Sequence, residues 1–169
     1  MLRPLASSLC LALCLLPLAC GPSVPDAWKD LVPTEGITTL VESNPPGGGE
    51  ALMLFYDRSK TDGLELRAGF RERVTAGGYA HLFECPDEPT EHGKDAPSDG
   101  YSKPGGYVEV SVVPLSAESY DVRVTRTDAL QSLQLPARSD CVWGPAAADY
   151  CEGGTPVGPD AVCLVKGAK

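Results

Sequence analysis

Two stretches of the chain alternate with a period of two. Val108, Val110 and Val112 alternate with Tyr107, Glu109 and Ser111; Tyr120, Val122 and Val124 alternate with Asp121, Arg123 and Thr125. Strands with one buried face require this alternation. The connection from Pro114 to Glu118 suits a hairpin loop. Matching the apolar faces pairs Val112 with Tyr120, Val110 with Val122 and Val108 with Val124, and sets Glu109 opposite Arg123. A slip of one residue would bury Asp121 and Arg123, so the choice of face is strongly specified.

The period changes to four between Gly63 and Ala76. Leu66, Phe70 and Val74 form one apolar stripe, and Arg67, Arg71, Glu72 and Arg73 lie off it. Asp62 is a natural N-cap, with Glu65 three residues further on, and Gly77-Gly78 stops the helix. Before it, Ile37 to Glu42 is rich in β-branched residues, and Ala51 to Tyr56 is a continuous apolar run suited to a strand buried on both faces. Asn44 to Gly49 breaks the chain between them, which predicts a hairpin. Tyr79 to Phe83 reads as a further strand. Asp26 to Val32 reads as a short helical turn, stopped by Pro33, with Trp28, Leu31 and Val32 as a small apolar lid. Ala129 to Leu133 suggests one more turn.

Two regions lack any period. From Glu84 to Gly105, Glu84, Asp87, Glu88, Glu91, Asp95 and Asp99 face only Lys94 and Lys103, which predicts a long acidic loop. The tail from 128 to 169 carries Cys141, Cys151 and Cys163 amid Gly and Pro, with Trp143 and Tyr150 between them. The expected fold is therefore α+β: a small, mostly antiparallel sheet with one main helix, about 63–76, on one face, and a disulfide-stapled C-terminal tail. The folded domain is expected over 26–127, with the tail packed on it.

Composition narrows the function. The chain has 169 residues and a formal net charge of -9, with 18 Gly and 16 Pro. An acidic chain without Lys/Arg clusters does not suit nucleic acid, nor electrostatic adhesion to anionic lipid.

The first 21 residues, MLRPLASSLCLALCLLPLACG, have one charge, Arg3, then an apolar run from Leu5 to Leu18. This is the layout of an export signal, and the run is too short to span a bilayer, which needs about 20 residues. Leu16-Pro17-Leu18-Ala19-Cys20 resembles the lipobox of bacterial lipoproteins. The resemblance implies a signal peptide over 1–19, a diacylglycerol on the Cys20 thiol, and a tether over 20–25. Gly21 after the cysteine implies the outer membrane. The folded part resembles no characterised family.

Cysteine parity agrees with this. Of seven cysteines, Cys10 and Cys14 leave with the signal and Cys20 goes to lipid, so Cys85, Cys141, Cys151 and Cys163 remain. Four cysteines in an oxidising compartment imply two disulfides, and three connectivities are open. The expected one joins Cys85 to a C-terminal cysteine and closes a local loop with the other two.

Candidate chemistry is sparse. His81 and Cys85 sit four apart with His92 nearby, a set zinc accepts, but Cys85 is needed for the disulfides. The 84–99 segment is oxygen-rich but lacks the regular spacing of a calcium loop. No G-x-S-x-G or S-x-x-K motif is present. Trp28, Tyr101, Tyr107, Trp143 and Tyr150 offer either a recognition surface or, more commonly, core packing. The function expected is a lipid-anchored envelope protein, an interaction or structural module rather than an enzyme. No catalytic residue, metal or cofactor is assigned, and the partner would be an envelope protein or glycan. The alternatives are a small secreted hydrolase and a calcium- or metal-binding module at 84–99.

Overall fold

The computed structural model describes residues 22–44, 49–86, 88–90, 93–95, 97–128, 134–135, 141–155 and 163–164. Cys20, His92 and the turn expected at 129–133 lie outside these residues. In chain order the strands are β1 (Ile37–Ser43), β2 (Glu50–Asp57), β3 (Ala80–Cys85), β4 (Glu88–Thr90), β5 (Gly93–Asp95), β6 (Ser98–Lys103), β7 (Gly106–Pro114), β8 (Ser119–Thr127), β9 (Gln134–Leu135), β10 (Val142–Trp143) and β11 (Cys163–Leu164). The helices are α1 (Gly63–Ala76) and the single turn α2 (Ala147–Tyr150), preceded by a 3₁₀ turn at Asp26–Trp28.

Seven strands form one antiparallel sheet in the order β1-β2-β8-β7-β6-β3-β10. The expected α+β architecture holds. Asp62 caps α1 by accepting from the amides of Leu64 and Glu65, both at 2.8 Å. The helix lays Leu66, Phe70 and Val74 onto Leu52, Leu54, Tyr56, Val108, Val110, Val112, Val122 and Val124, and Trp28, Leu31 and Val32 close the same core. Each such side chain, fully buried, contributes about 1.5–3 kcal/mol before entropy is set against it. Ala51 to Tyr56 is buried more on one face than two: Leu52, Leu54 and Tyr56 are inside, while Met53 and Phe55 are half-exposed. On that second face Ala51 is buried.

The β7–β8 pairing differs from the expected one by two residues. Val112 pairs with Val122, Val110 with Val124 and Val108 with Arg126. Serine 116 decides this: its hydroxyl accepts from the amides of Glu118 and Ser119, and the Leu115 amide donates to the Ser119 carbonyl. The tight loop extends pairing out to Pro114 and Tyr120. A shift of two keeps every side chain on its face, so face-matching alone could not detect it. Glu109 consequently faces Thr125, not Arg123, and accepts instead from the Tyr107 hydroxyl.

The segment expected as one long acidic loop contains β6, an interior strand. Asp99 within it is 1 % exposed. The charge of Asp99 is tolerated there because α1 supplies partners, described below.

The second core lies on the opposite face, over β3 and β7. Leu82, Phe83, Cys85 and Tyr107 meet Ala146, Ala147, Cys151 and Cys163 of the tail. The disulfides are Cys85–Cys141 and Cys151–Cys163, the expected partition. The first ties β10 to β3 at the sheet edge, with Trp143 packed edge-on against Phe83 at 5.5 Å. Phe83 needs room beneath it. A Cβ at Gly100 would collide with its ring, so that strand position accepts only glycine.

Candidate functional site

The chemistry-bearing residues gather where α1 crosses β3 and β6. Arg67 and Arg71 are one turn apart and stand beside the apolar stripe, each one residue past Leu66 and Phe70. Beneath them two cross-strand pairs lie side by side, Glu84 opposite Asp99 and His81 opposite Tyr101. Arg67 grips Asp99 with two prongs, Nε to Oδ2 at 3.1 Å and Nη2 to Oδ1 at 3.0 Å. Arg71 Nη2 donates to Glu84 Oε2 at 2.8 Å and to Asp99 Oδ1 at 3.2 Å. Two guanidiniums thus balance two carboxylates.

Burial separates the two pairs. The side chains of Asp99 and Arg67 are 2 % and 16 % exposed; those of Glu84 and Arg71 are 41 % and 43 % exposed. The inner pair locks α1 to the sheet, since removing one partner of a buried pair strands the other charge. The outer pair is screened and adds little.

Burial pushes the Asp99 carboxyl up, but the facing His81, the Arg67 fork and the charges of Arg67 and Arg71 outweigh it and hold it below the usual carboxylate value. His81 Nε2 is 3.8 Å from Asp99 Oδ1, beyond hydrogen-bond distance, so the arginines make the bonds. Burial, with the Asp99 charge, pushes the Tyr101 phenol up to about 12. Asp99 is therefore an ionised structural partner, not a poised acid.

His81, Glu84 and Asp99 bring ligand atoms within 4.8 Å of one another. The zinc-type set of His81, Cys85 and His92, passed over in the sequence for a disulfide at Cys85, fares differently. A bulge at Leu82 shifts the register between His81 and Phe83. His81 therefore faces the helix side, while Cys85 faces the tail and is bonded to Cys141. The convergent trio is already spanned by Arg71 and Arg67, which a divalent cation would have to displace. Glu84 and Asp99, the ends of the calcium candidate, are tied to the same arginines; the carboxylates at Asp87, Glu88, Glu91 and Asp95 lie outside the described side chains. The aromatic residues serve packing: Trp28, Tyr101 and Tyr107 are buried, and Trp143 and Tyr150 pack on the tail-side core.

In the sequence Arg67 and Arg71 lie merely off the apolar stripe. Their spacing of four was the available signal, together with Asp99 in period-two phase with Tyr101.

No helix of the described residues is long and apolar enough to cross a membrane. The two disulfides are those of a chain folded in an oxidising compartment outside the cytosol. The chain matches no protein-family model, no curated protein and no solved structure.

Proposed function

We propose that this chain is an exported envelope protein, held at the membrane by a diacylglycerol on Cys20, and that it works as an interaction or structural module rather than an enzyme. The observation that carries the reading is cysteine parity. Cys85, Cys141, Cys151 and Cys163 are consumed by two disulfides, which leaves Cys20 as the odd thiol of the exported chain. Outer-membrane placement rests on Gly21 alone.

The start of the folded chain suits a tether. Val24 is buried, and Arg126 donates to the Ala27 carbonyl at 2.8 Å. This fixes the entry at the end of the sheet where β2 begins and β8 ends. The opposite end, about 24 Å away along eight-residue β2, would then face away from the bilayer. The non-enzymatic part of the reading is supported by the cluster under α1, whose carboxylates serve as ion-pair partners. The partner class is an envelope protein or a glycan.

The test is fractionation. Wild-type protein is expected in the membrane fraction, released only by detergent, and a Cys20→Ser variant in the soluble fraction. A wild-type chain that is soluble without detergent would overturn the anchor.

A further inference from the structure

The seven-stranded sheet has two unlike edges. At one, β10 is two residues long, tied down by Cys85–Cys141 and followed by α2. At the other, β1 runs for seven residues, about 23 Å, and among the described residues no strand pairs with its outer side. Alternate residues of an edge strand turn their N–H and C=O away from the sheet, ready to pair with another strand. Edges are ordinarily blunted by Lys, by Pro or by a bulge in mid-strand. β1 reads Ile37-Thr-Thr-Leu-Val-Glu-Ser43, with no Lys and no Pro, and its bulge lies at its start, between Ile37 and Thr39. Thr39 to Ser43 stay in unbroken register with Ala51 to Phe55, and of these five only Leu40 is part-buried.

The side chains say which strand fits. Thr39, Val41 and Ser43 lie on the face away from α1, in line with Phe55, Met53 and Ala51. Val41 is 48 % exposed, and Met53 and Phe55 behind it are half-buried, so an apolar strip runs out to the edge. Leu40 and Glu42 lie on the α1 face, in line with Leu54 and Leu52. From Thr34 to Asp57 the chain holds Glu35, Glu42, Glu50 and Asp57 and no Lys or Arg. Arg126 pairs with Glu50, whereas Glu42 has no ion-pair partner among the described residues. A second copy fits this edge badly. It would set one acidic hairpin against another, and antiparallel pairing of β1 with β1 would turn its tether to the far end of the strands.

We infer that the β1 edge binds an extended segment of another protein, which adds an eighth strand to the sheet, with apolar side chains beside Val41 and basic ones beside Glu42. Residues opposite one another on paired strands share a face, so the segment alternates apolar and basic residues. The backbone ladder supplies affinity, and the alternation supplies selection. The inference rests on reading the chain as an interaction module and narrows its partner to a protein, since a glycan cannot continue the ladder.

The test uses the mature chain carrying Cys20→Ser, secreted behind a cleavable leader, so that lipidation has no part in the result. The probe is a synthetic peptide of alternating Val and Lys, long enough to cover β1. Fluorescence titration is expected to show one saturable site. Amide exchange should slow roughly fivefold at alternate residues between Thr39 and Ser43, and not at β10. A peptide alternating Pro and Lys carries the same charge but cannot form the ladder, and should bind about tenfold more weakly. A peptide alternating Val and Glu should be weaker by about as much. Val41→Lys should weaken the Val–Lys peptide about tenfold, whereas Leu115→Lys, the same charge change at another exposed apolar residue, should weaken it less than about twofold. No saturable binding, protection away from β1, equal binding of either control peptide, or equal loss in the two lysine variants would each overturn the inference. Protection of the β1 amides on concentrating the chain alone would also overturn it, because a second copy would then fill the edge. A wild-type chain that fractionates as soluble fails the anchor and leaves the peptide result standing; a membrane-bound wild type whose soluble variant ignores the peptide fails this inference alone.

Discussion

The two faces of the sheet are held by different means. On the α1 side, eighteen buried residues among those described, from strands, helix and lid, form one continuous core, and an ion cluster closes its margin. On the tail side, eight buried residues among those described form a smaller core; three of them are half-cystines, and the fourth cysteine, Cys141, packs against them. Apolar periodicity builds the first face. Covalent closure holds the described part of the second.

The strongest way to break the comparison is to remove the staple. Replacing Cys85 and Cys141 by Ser opens a crosslink 56 residues apart in sequence, which costs about 4 kcal/mol in the chain-entropy picture. Urea unfolding should show that loss, and amide exchange should lose protection at β10 and α2 before β7 and β8. Equal loss at both sites would mean that the tail side supports the helix side.

Next comes the ion cluster. Asp99→Asn leaves two guanidiniums against one half-exposed carboxylate, Glu84, and a buried neutral amide, and is expected to cost about 3 kcal/mol, whereas Glu84→Gln, at the exposed pair, should cost under about 1 kcal/mol. A similar cost for both, by urea melts, would contradict the burial argument. The Asp99 effect should depend on pH. Its folded value lies below the ordinary carboxylate value of 3.8, so its stabilisation is complete above that pH and is lost as pH falls through the folded value. The gap between wild type and Asp99→Asn should close below about pH 4, and a gap that widened there would reverse the sign.

The smallest expected effect is on the second face, beside β2. Asp121 sits between Phe55 and Val113 across the sheet, with Oδ1 buried and without a hydrogen-bond partner. Burial raises its carboxyl, against the nearby Arg123, so the folded state favours the proton and the charge is unwelcome at neutral pH. Asp121→Asn should therefore stabilise at pH 7 by under about 0.5 kcal/mol, and the gain should vanish below about pH 4.

The same contrast governs what the sequence made legible. The α1 side was readable because its residues repeat: Leu66, Phe70 and Val74 at four, Val108 to Val112 and Tyr120 to Val124 at two. The β7–β8 register was not, because a shift of two leaves the faces unchanged and the choice is made by hydrogen bonds of Ser116. Asp99 looks like loop in the sequence because charge along the chain does not show that two arginines on another element will meet it. A spacing of four puts His81 and Cys85 on one side of a regular strand, and the bulge at Leu82 that separates them leaves no mark in the pattern. On the tail side only the cysteines spoke, and parity was enough to divide them.

That division is the centre of the account, and the mass of the mature chain tests it most directly. Non-reducing peptide mapping with mass spectrometry should find an N-terminal Cys20 carrying a diacylglyceryl thioether, with Cys85 joined to Cys141 and Cys151 to Cys163. An unmodified Cys20, a retained leader, or a free thiol at any of the other four would contradict it.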